Sequence, residues 1–445
     1  MKTNPIKSII TFLLIFLSVT TSFSQSLGDG CASRELTQRQ LKKLPWYGNN
    51  NFLTQVLETE NYKKDSTQVL YRIPITLWVF SPNSNDEYYK KLIQDVNYYN
   101  KLNNTGFEFY YAQIIPKYKS TPFKLGYTIP AFIKGFFYRK KETVNVLLVD
   151  NLVKRSILKP TKYYKGQYNS GTKNIVLRYN SSTTSLTHEI GHFLGLHHPH
   201  RGWKRGKRHQ ESVNRERKAQ RILKNAKNCE LNGDAICDTP AEPVLLKYIN
   251  TDCQYTGDLV DNWGDKYVPN TDNIMSYPGN IKCRDNFTQG QIAVMLYTAK
   301  KRNVPEWKAS DIRFIFDQYE PNNSHITASL LNNKTIESNL HLKYAGKSKK
   351  IIATDEDWFV IQTDSLESKE AEWALKIELV EDSNAELTVE TNPYPQSIEN
   401  KMTKVNKQNN TVSLDLKNNK QLYICIKNTE KQKELLAYKI SLVKQ

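Results

Sequence analysis

The run Thr187-His188-Glu189-Ile190-Gly191-His192-Phe193-Leu194-Gly195-Leu196-His197-His198 restricts what this chain can be more than any other part of it. His188 and His192 lie four residues apart, so on a helix both imidazoles leave the same face one turn apart. That is the spacing at which two ring nitrogens reach one zinc ion. Gly195 can adopt the left-handed conformation that ends a helix, which lets the chain turn and return His198 as a third ligand. Three protein ligands leave the fourth tetrahedral position open, the arrangement of a catalytic rather than a structural site. Glu189 stands beside the pair, where a carboxylate takes a proton from an activated water without being a ligand itself. The short fragment His-Glu-x-x-His arises by chance in unrelated helices. The full pattern, with the glycine and the third histidine, leaves little room for that account. His197 and His200 flank the pattern without fitting it and read as supporting or exposed histidines.

The surrounding sequence predicts an α/β layer architecture with a twisted mixed sheet and one active-site helix. Residues 71–80 alternate and are β-branched and aromatic, a strand pattern. Leu92, Val96 and Tyr99 give the helical spacing expected over Asp86 to Leu102. Further strands are expected at 106–115, 144–149 and Asn174–Arg178. The last, just before the active-site helix, is the edge expected to receive an extended peptide by β-augmentation. From residue 316 onward, short alternating segments at 357–363, 373–380, 385–391, 411–416 and 421–428 predict an all-β sandwich. Residues 25–66 are polar apart from Leu44-Pro45-Trp46-Tyr47 and read as a propeptide or loosely ordered arm without a core. The expected organisation is a signal peptide over 1–24, a propeptide over 25–66 and a catalytic domain over 67–302. A linker over 303–315 then leads to a sandwich over 316–445.

Lys2 and Lys7 precede the apolar run Ile9–Leu17, with small residues at Ser22 and Ser24, the pattern of a secretory signal. The run is shorter than the roughly 20 residues of a membrane span, and no later stretch is apolar enough. The expectation is a secreted protein, extracellular or periplasmic, in which disulfides can form. Cys229, Cys237, Cys253 and Cys283 would make two bridges, with three connectivities open. The net charge is +18. Half of the excess lies in 201–228, which reads as a solvated helical insertion or as a dock for acidic surfaces. No nucleic-acid-binding signature accompanies it.

Two further signatures follow the histidines: Asn273-Ile274-Met275-Ser276-Tyr277-Pro278-Gly279, and Asn232-Gly233-Asp234-Ala235-Ile236-Cys237-Asp238-Thr239-Pro240 with Phe287-Thr288-Gln289-Gly290-Gln291 behind it. With them the chain resembles the metzincin metallopeptidases of the pappalysin family. The resemblance implies a zinc-dependent endopeptidase acting on proteins or peptides, with Met275 in a tight turn beneath the zinc and Tyr277 as a donor to the oxyanion. It also implies calcium at Asp234, Thr239 and Glu242 with the carbonyls of Gly233 and Ile236, and leans toward the pairing Cys229–Cys253 with Cys237–Cys283. Lys282 and Arg284 would border the pocket for the residue after the scissile bond and disfavour basic side chains there, unless both point to solvent. Cys31 resembles the cysteine whose thiolate fills the fourth zinc position in some zymogens. The competing account pairs it with Cys425 or leaves it free. The C-terminal segment resembles a bacterial pre-peptidase C-terminal domain through Tyr319-Glu320-Pro321-Asn322-Asn323-Ser324 and Asp355-Glu356-Asp357-Trp358-Phe359. There Asp355 and Asp357 read as a second calcium site or as solvated turn acids. The rival reading is a non-catalytic secreted adhesin or carbohydrate-binding protein with a structural zinc. Such a protein has no use for Glu189.

Overall fold

The computed structural model describes residues 31, 33, 37–117, 137–154, 162–203, 210–219, 225–278, 281–304 and 307–309, together with most of 328–445. The expected signal peptide, most of the linker, the Tyr319–Ser324 motif and Asp355 lie outside the described residues.

The first unit runs α1 (Gln38–Leu41), α2 (Asn51–Thr59), β1 (Tyr71–Val79), α3 (Asp86–Leu102), β2 (Phe107–Pro116) and β3 (Val144–Val149). A two-residue ribbon, β4 (Val153–Lys154) with β5 (Lys162–Tyr163), precedes β6 (Gly166–Asn169), β7 (Asn174–Arg178), α4 (Thr183–Phe193) and α5 (Gln289–Arg302). The expected helix over 86–102 forms with those bounds. Asn85 caps it by accepting from the Tyr88 amide, Asp86 and Glu87 favour the positive end of its dipole, and Leu92 and Val96 are buried.

Five strands pair in the order β2-β1-β3-β7-β6. The first four are parallel and β6 runs antiparallel to β7. Asn174–Arg178 is therefore an interior strand, and the expectation that it forms the edge is corrected: β6 covers it. The cause is a hairpin in which the Asn169 side chain accepts from the amides of Gly171 and Thr172, a turn written as Asn-Ser-Gly in the sequence.

Residues 38–59 are also not the coreless arm that their polarity implies. Leu41, Trp46, Leu53 and Val56 lie in the same core cluster as Ile73, Ile75, Leu186 and Ile190. Trp46 and Phe52 both meet the Tyr297 ring of α5 edge-on. A few well-spaced apolar residues suffice to seat a short amphipathic helix on an existing core.

The second unit is built from β8 (Ser329–Leu330), β9 (Ile336–Ala345), β10 (Lys350–Thr354), β11 (Glu356–Gln362), β12 (Trp373–Leu379), β13 (Leu387–Asn392), β14 (Lys401–Val405), β15 (Thr411–Leu414), β16 (Gln421–Asn428) and β17 (Leu435–Lys444). They form two five-stranded sheets, β10-β9-β17-β12-β15 and β14-β13-β16-β11-β8. Phe359, Ile361, Val389 and Ile424 of one sheet share a core with Leu375, Ile377, Tyr438 and Ile440 of the other, as a sandwich requires. Asp357 is buried and accepts a short hydrogen bond from Tyr438 Oη at 2.5 Å, so it is an internal partner and not a solvated turn acid.

Candidate metal centre

Helix α4 carries His188, Glu189 and His192 on its buried face. Gly195 takes φ +95°, which ends the helix as the sequence predicts and turns His198 back toward it. His198 Nε2 lies 3.2 Å from His188 Nε2 and 3.0 Å from His192 Nε2. Three ring nitrogens this close can serve as donors to one cation. Their other nitrogens confirm the orientation: His188 Nδ1 donates to the Ile274 carbonyl at 2.7 Å and His192 Nδ1 to the Leu196 carbonyl at 2.8 Å. A carbonyl can only accept, so each Nε2 is left with its lone pair facing inward. Burial, reinforced by His192, Arg284 and His198 beside it, holds His188 well below the ordinary imidazole range, in the neutral form that ligates.

Cys31 completes the group. Its sulfur and the three histidine nitrogens all lie within 4.8 Å of one another, the one such cluster of His, Cys, Asp or Glu among the described residues. Neither Cys31 nor Cys425 is in a disulfide, which removes the pairing between them. Burial, with the charge of Glu189 adding to it, pushes the Cys31 thiol well above its ordinary value, so a thiolate here needs a cation beside it. Donor type, spacing and tautomer therefore fit zinc.

The segment that brings Cys31 also covers Glu189 and Tyr277. Ser33 Oγ donates to Glu189 Oε2 at 2.9 Å and accepts from the Tyr168 amide at 2.8 Å. Tyr277 Oη donates to the Cys31 carbonyl at 2.9 Å. Cys31 itself makes a parallel bridge to Gly166 on β6, the free edge of the sheet. Glu189 is buried, and loss of hydration raises its carboxyl to about 7 against the hydrogen bonds that favour the ionised form.

Beneath the histidines Met275 is fully buried, and Gly191 makes room for it: a Cβ there would come within 2.6 Å of the Met275 sulfur. The turn is held by a pair of buried amides that stand in the two motifs without a role assigned from the sequence. Asn273 Nδ2 donates to Gln291 Oε1 at 2.9 Å, Gln291 Nε2 donates to Asn273 Oδ1 at 3.2 Å, and that oxygen also accepts from the Met275 amide. Gln291 closes a capping box with Thr288 as well, which explains the Phe287–Gln291 motif: it starts α5 and grips the turn at once. His200 proves to be a supporting histidine. Its ring stacks on His198 at 4.9 Å, and its Nδ1 meets Glu242 Oε1 at 3.3 Å while Ser276 Oγ donates to Glu242 Oε2 at 2.7 Å. His197 is only partly buried.

Other expectations are redrawn. The bridges are Cys229–Cys237 and Cys253–Cys283, with Cα separations of 5.1 and 5.4 Å, in place of the expected Cys229–Cys253 and Cys237–Cys283. The turn over Asn228–Glu230 brings the first two cysteines together within one loop, and the second bridge ties residue 253 to the turn over Ile281–Cys283. Lys282 is exposed and Arg284 buried, with Nη1 3.3 Å from His188 Nδ1. Among its described residues the basic stretch forms no α-helix, and of its cations one lies inside the fold while others are paired nearer its surface. Arg201 is buried, Arg217 pairs with Asp265 and lies over the Trp263 ring, and Lys227 pairs with Glu216.

The calcium set does not converge as expected. Both Glu242 oxygens are taken, the Gly233 carbonyl accepts from Arg201 at 3.2 Å, and Thr239 Oγ1 lies against Thr288 Oγ1 at 3.3 Å. Asp234 is buried with one oxygen on the Ile236 amide.

A parallel sheet closed by an antiparallel edge, an active-site helix with a left-handed exit and a buried methionine turn under three histidines define a metzincin-type peptidase domain. Residues 159–299 match the Peptidase M43 family model, described as Pregnancy-associated plasma protein-A, which supports a pappalysin-like metzincin. Among solved structures, a metalloproteinase-II from Bacteroides fragilis is similar at 16% identity and TM-score 0.21, over 34% of this chain and 53% of that one. A protein in a chaperone–substrate complex is similar at 14% identity and TM-score 0.25, over 52% of this chain and 34% of that one. The chain thus spans about a third to about half of those neighbours. No curated protein matches it in sequence.

Proposed function

We propose that the chain is a secreted zinc endopeptidase held latent by its own N-terminal segment. The observation that carries this reading is the convergence of His188, His192 and His198 with Cys31 in one cluster, with Glu189 engaged by Ser33 and Tyr277 by the Cys31 carbonyl beside it. When bound, zinc supplies Lewis acidity to the scissile carbonyl and lowers the pKa of the attacking water. Glu189 takes a proton from that water as its oxygen adds to the carbonyl carbon. It then delivers the proton to the departing amine nitrogen as the C–N bond breaks. Tyr277 Oη, freed from the Cys31 carbonyl, donates to the oxyanion. An extended substrate adds to β6, whose edge the Cys31 bridge otherwise occupies.

The buried guanidinium of Arg284 behind His188 disfavours a basic side chain after the scissile bond and favours an acidic or polar one, whereas Lys282 faces solvent. Calcium is not part of this reading, because its expected oxygens other than Asp234 Oδ2 are already engaged.

One observation favours a second reading. With Cys31 included, the donor set is closed, as in a structural zinc site of the adhesin type. Removing that donor separates the two. Full-length Cys31→Ala protein incubated with a peptide library, with and without a zinc chelator, should show chelator-sensitive cleavage if the site is catalytic. A structural site yields none.

A further inference from the structure

The loop over 233–242, to which resemblance assigns a calcium ion, already contains a cation of the chain's own. Arg215, from the basic stretch, sends Nη2 to the carbonyls of Cys237 at 2.7 Å and Thr239 at 2.6 Å. Its Nε also reaches the Cys237 carbonyl at 3.2 Å, and its Nη1 meets Glu211 Oε1 at 2.5 Å. Arg201 takes the Gly233 carbonyl from the other side, and the Ile236 carbonyl accepts from the Thr239 amide at 3.2 Å. Calcium takes six to eight oxygens at about 2.3–2.6 Å. Among the residues expected to hold it, Arg215 engages the Thr239 carbonyl and Arg201 the Gly233 carbonyl, and two fixed cations this near oppose a divalent ion by charge.

We propose that Arg215 takes the place of calcium in this chain, clamping the 233–242 loop from within. A guanidinium suits the task because its planar fork offers several donors in fixed directions, here matched to two carbonyls and one carboxylate. The clamp reaches the metal centre through Glu242, which joins His200, stacked on His198, to Ser276 of the methionine turn. Arg215 is thus a positioning residue. Its charge also opposes the upward push that burial exerts on the Glu211 and Asp234 carboxyls. Each keeps one buried oxygen without a hydrogen-bond partner, Glu211 Oε2 and Asp234 Oδ2. These are the oxygens that calcium would still seek, so the ion itself is the sharpest probe, and the outcome is independent of whether the histidine site cleaves peptides.

The zinc-loaded full-length protein, dialysed free of calcium, is titrated with calcium chloride by calorimetry and melted with and without the ion. The clamp predicts no binding heat up to millimolar calcium and a midpoint unchanged within about 1 °C. Arg215→Ala should melt about 5 °C lower, with calcium restoring part of the loss, because the vacated carbonyls then face two carboxylates. Arg215→Lys should restore little, since an ammonium lacks the fork. One calcium bound per wild-type chain with a raised midpoint overturns the proposal, and so does an Arg215→Ala protein that melts like wild type. If Arg215→Ala does not fold, the wild-type titration decides alone.

Discussion

Ser33 Oγ donates to Glu189 Oε2, and on the proposed reading this bond holds the general base at rest. A buried carboxyl raised to about 7 is poised to accept and return a proton near neutrality. Replacing it with alanine should leave zinc content at one per chain and lower cleavage by about 10²–10⁴-fold, since the group serves rate and not ligation. Metal analysis beside a fluorogenic peptide assay checks both halves. Loss of His198 should instead lower zinc content. At this scale the sequence was at its most legible, because ligand spacing on a helix follows from geometry alone. Ser33 was invisible to it, since a lone serine carries no pattern until the fold sets it beside Glu189.

The elements that hold the site are stabilised by buried polar groups, and these answer to substitution and to pH. Asn273 and Gln291 are fully buried and satisfy each other. Gln291→Ala leaves the Asn273 amide without its partner and should cost about 1–3 kcal/mol in urea unfolding, with the loss of the methionine-turn grip felt in activity as well. Glu211 is buried, and loss of hydration raises it to about 7 although Arg215 opposes the shift. Its folded value therefore lies above its unfolded one, so the native state holds the proton longer. The Glu211 contribution to stability is then greatest below about pH 4.5, declines as pH rises toward about 7 and is level above that. Urea midpoints measured across that window should fall less steeply in Glu211→Gln. The positions of β1, β2, β3 and β7 were readable from the sequence, whereas β6 was not, because four residues ending in a turn are too few for a period. The disulfide pairing was unreadable for a related reason: four cysteines fix a count, and only loop geometry selects the partners.

Over the whole molecule, the N-terminal region divides into Cys31 and Ser33, which lie against the histidine site, and residues 38–59, which belong to the core. Because Leu41, Trp46, Leu53 and Val56 belong to the catalytic core, Trp46→Ala should cost about 3–5 kcal/mol in unfolding free energy. Activating cleavage should accordingly fall between Ser33 and Thr37, leaving 38–59 in place. N-terminal sequencing of the activated protein locates the cut, and a mature chain beginning near residue 67 would contradict the assignment. Composition misled here, since a polar stretch with few apolar residues can still supply the ones a core needs. The C-terminal sandwich was legible from its alternating strands, though β8, β9, β10, β14 and β17 were not individually foreseen. The central claim, a zinc endopeptidase silenced by Cys31, is tested most directly by comparing three zinc-loaded full-length proteins on one peptide library: wild type, Cys31→Ala and Cys31→Ala/Glu189→Ala. The account predicts a latent wild type, chelator-sensitive cleavage by the single variant, and a silent double variant that still holds one zinc per chain. A Cys31→Ala protein that retains its zinc and cleaves nothing would contradict it.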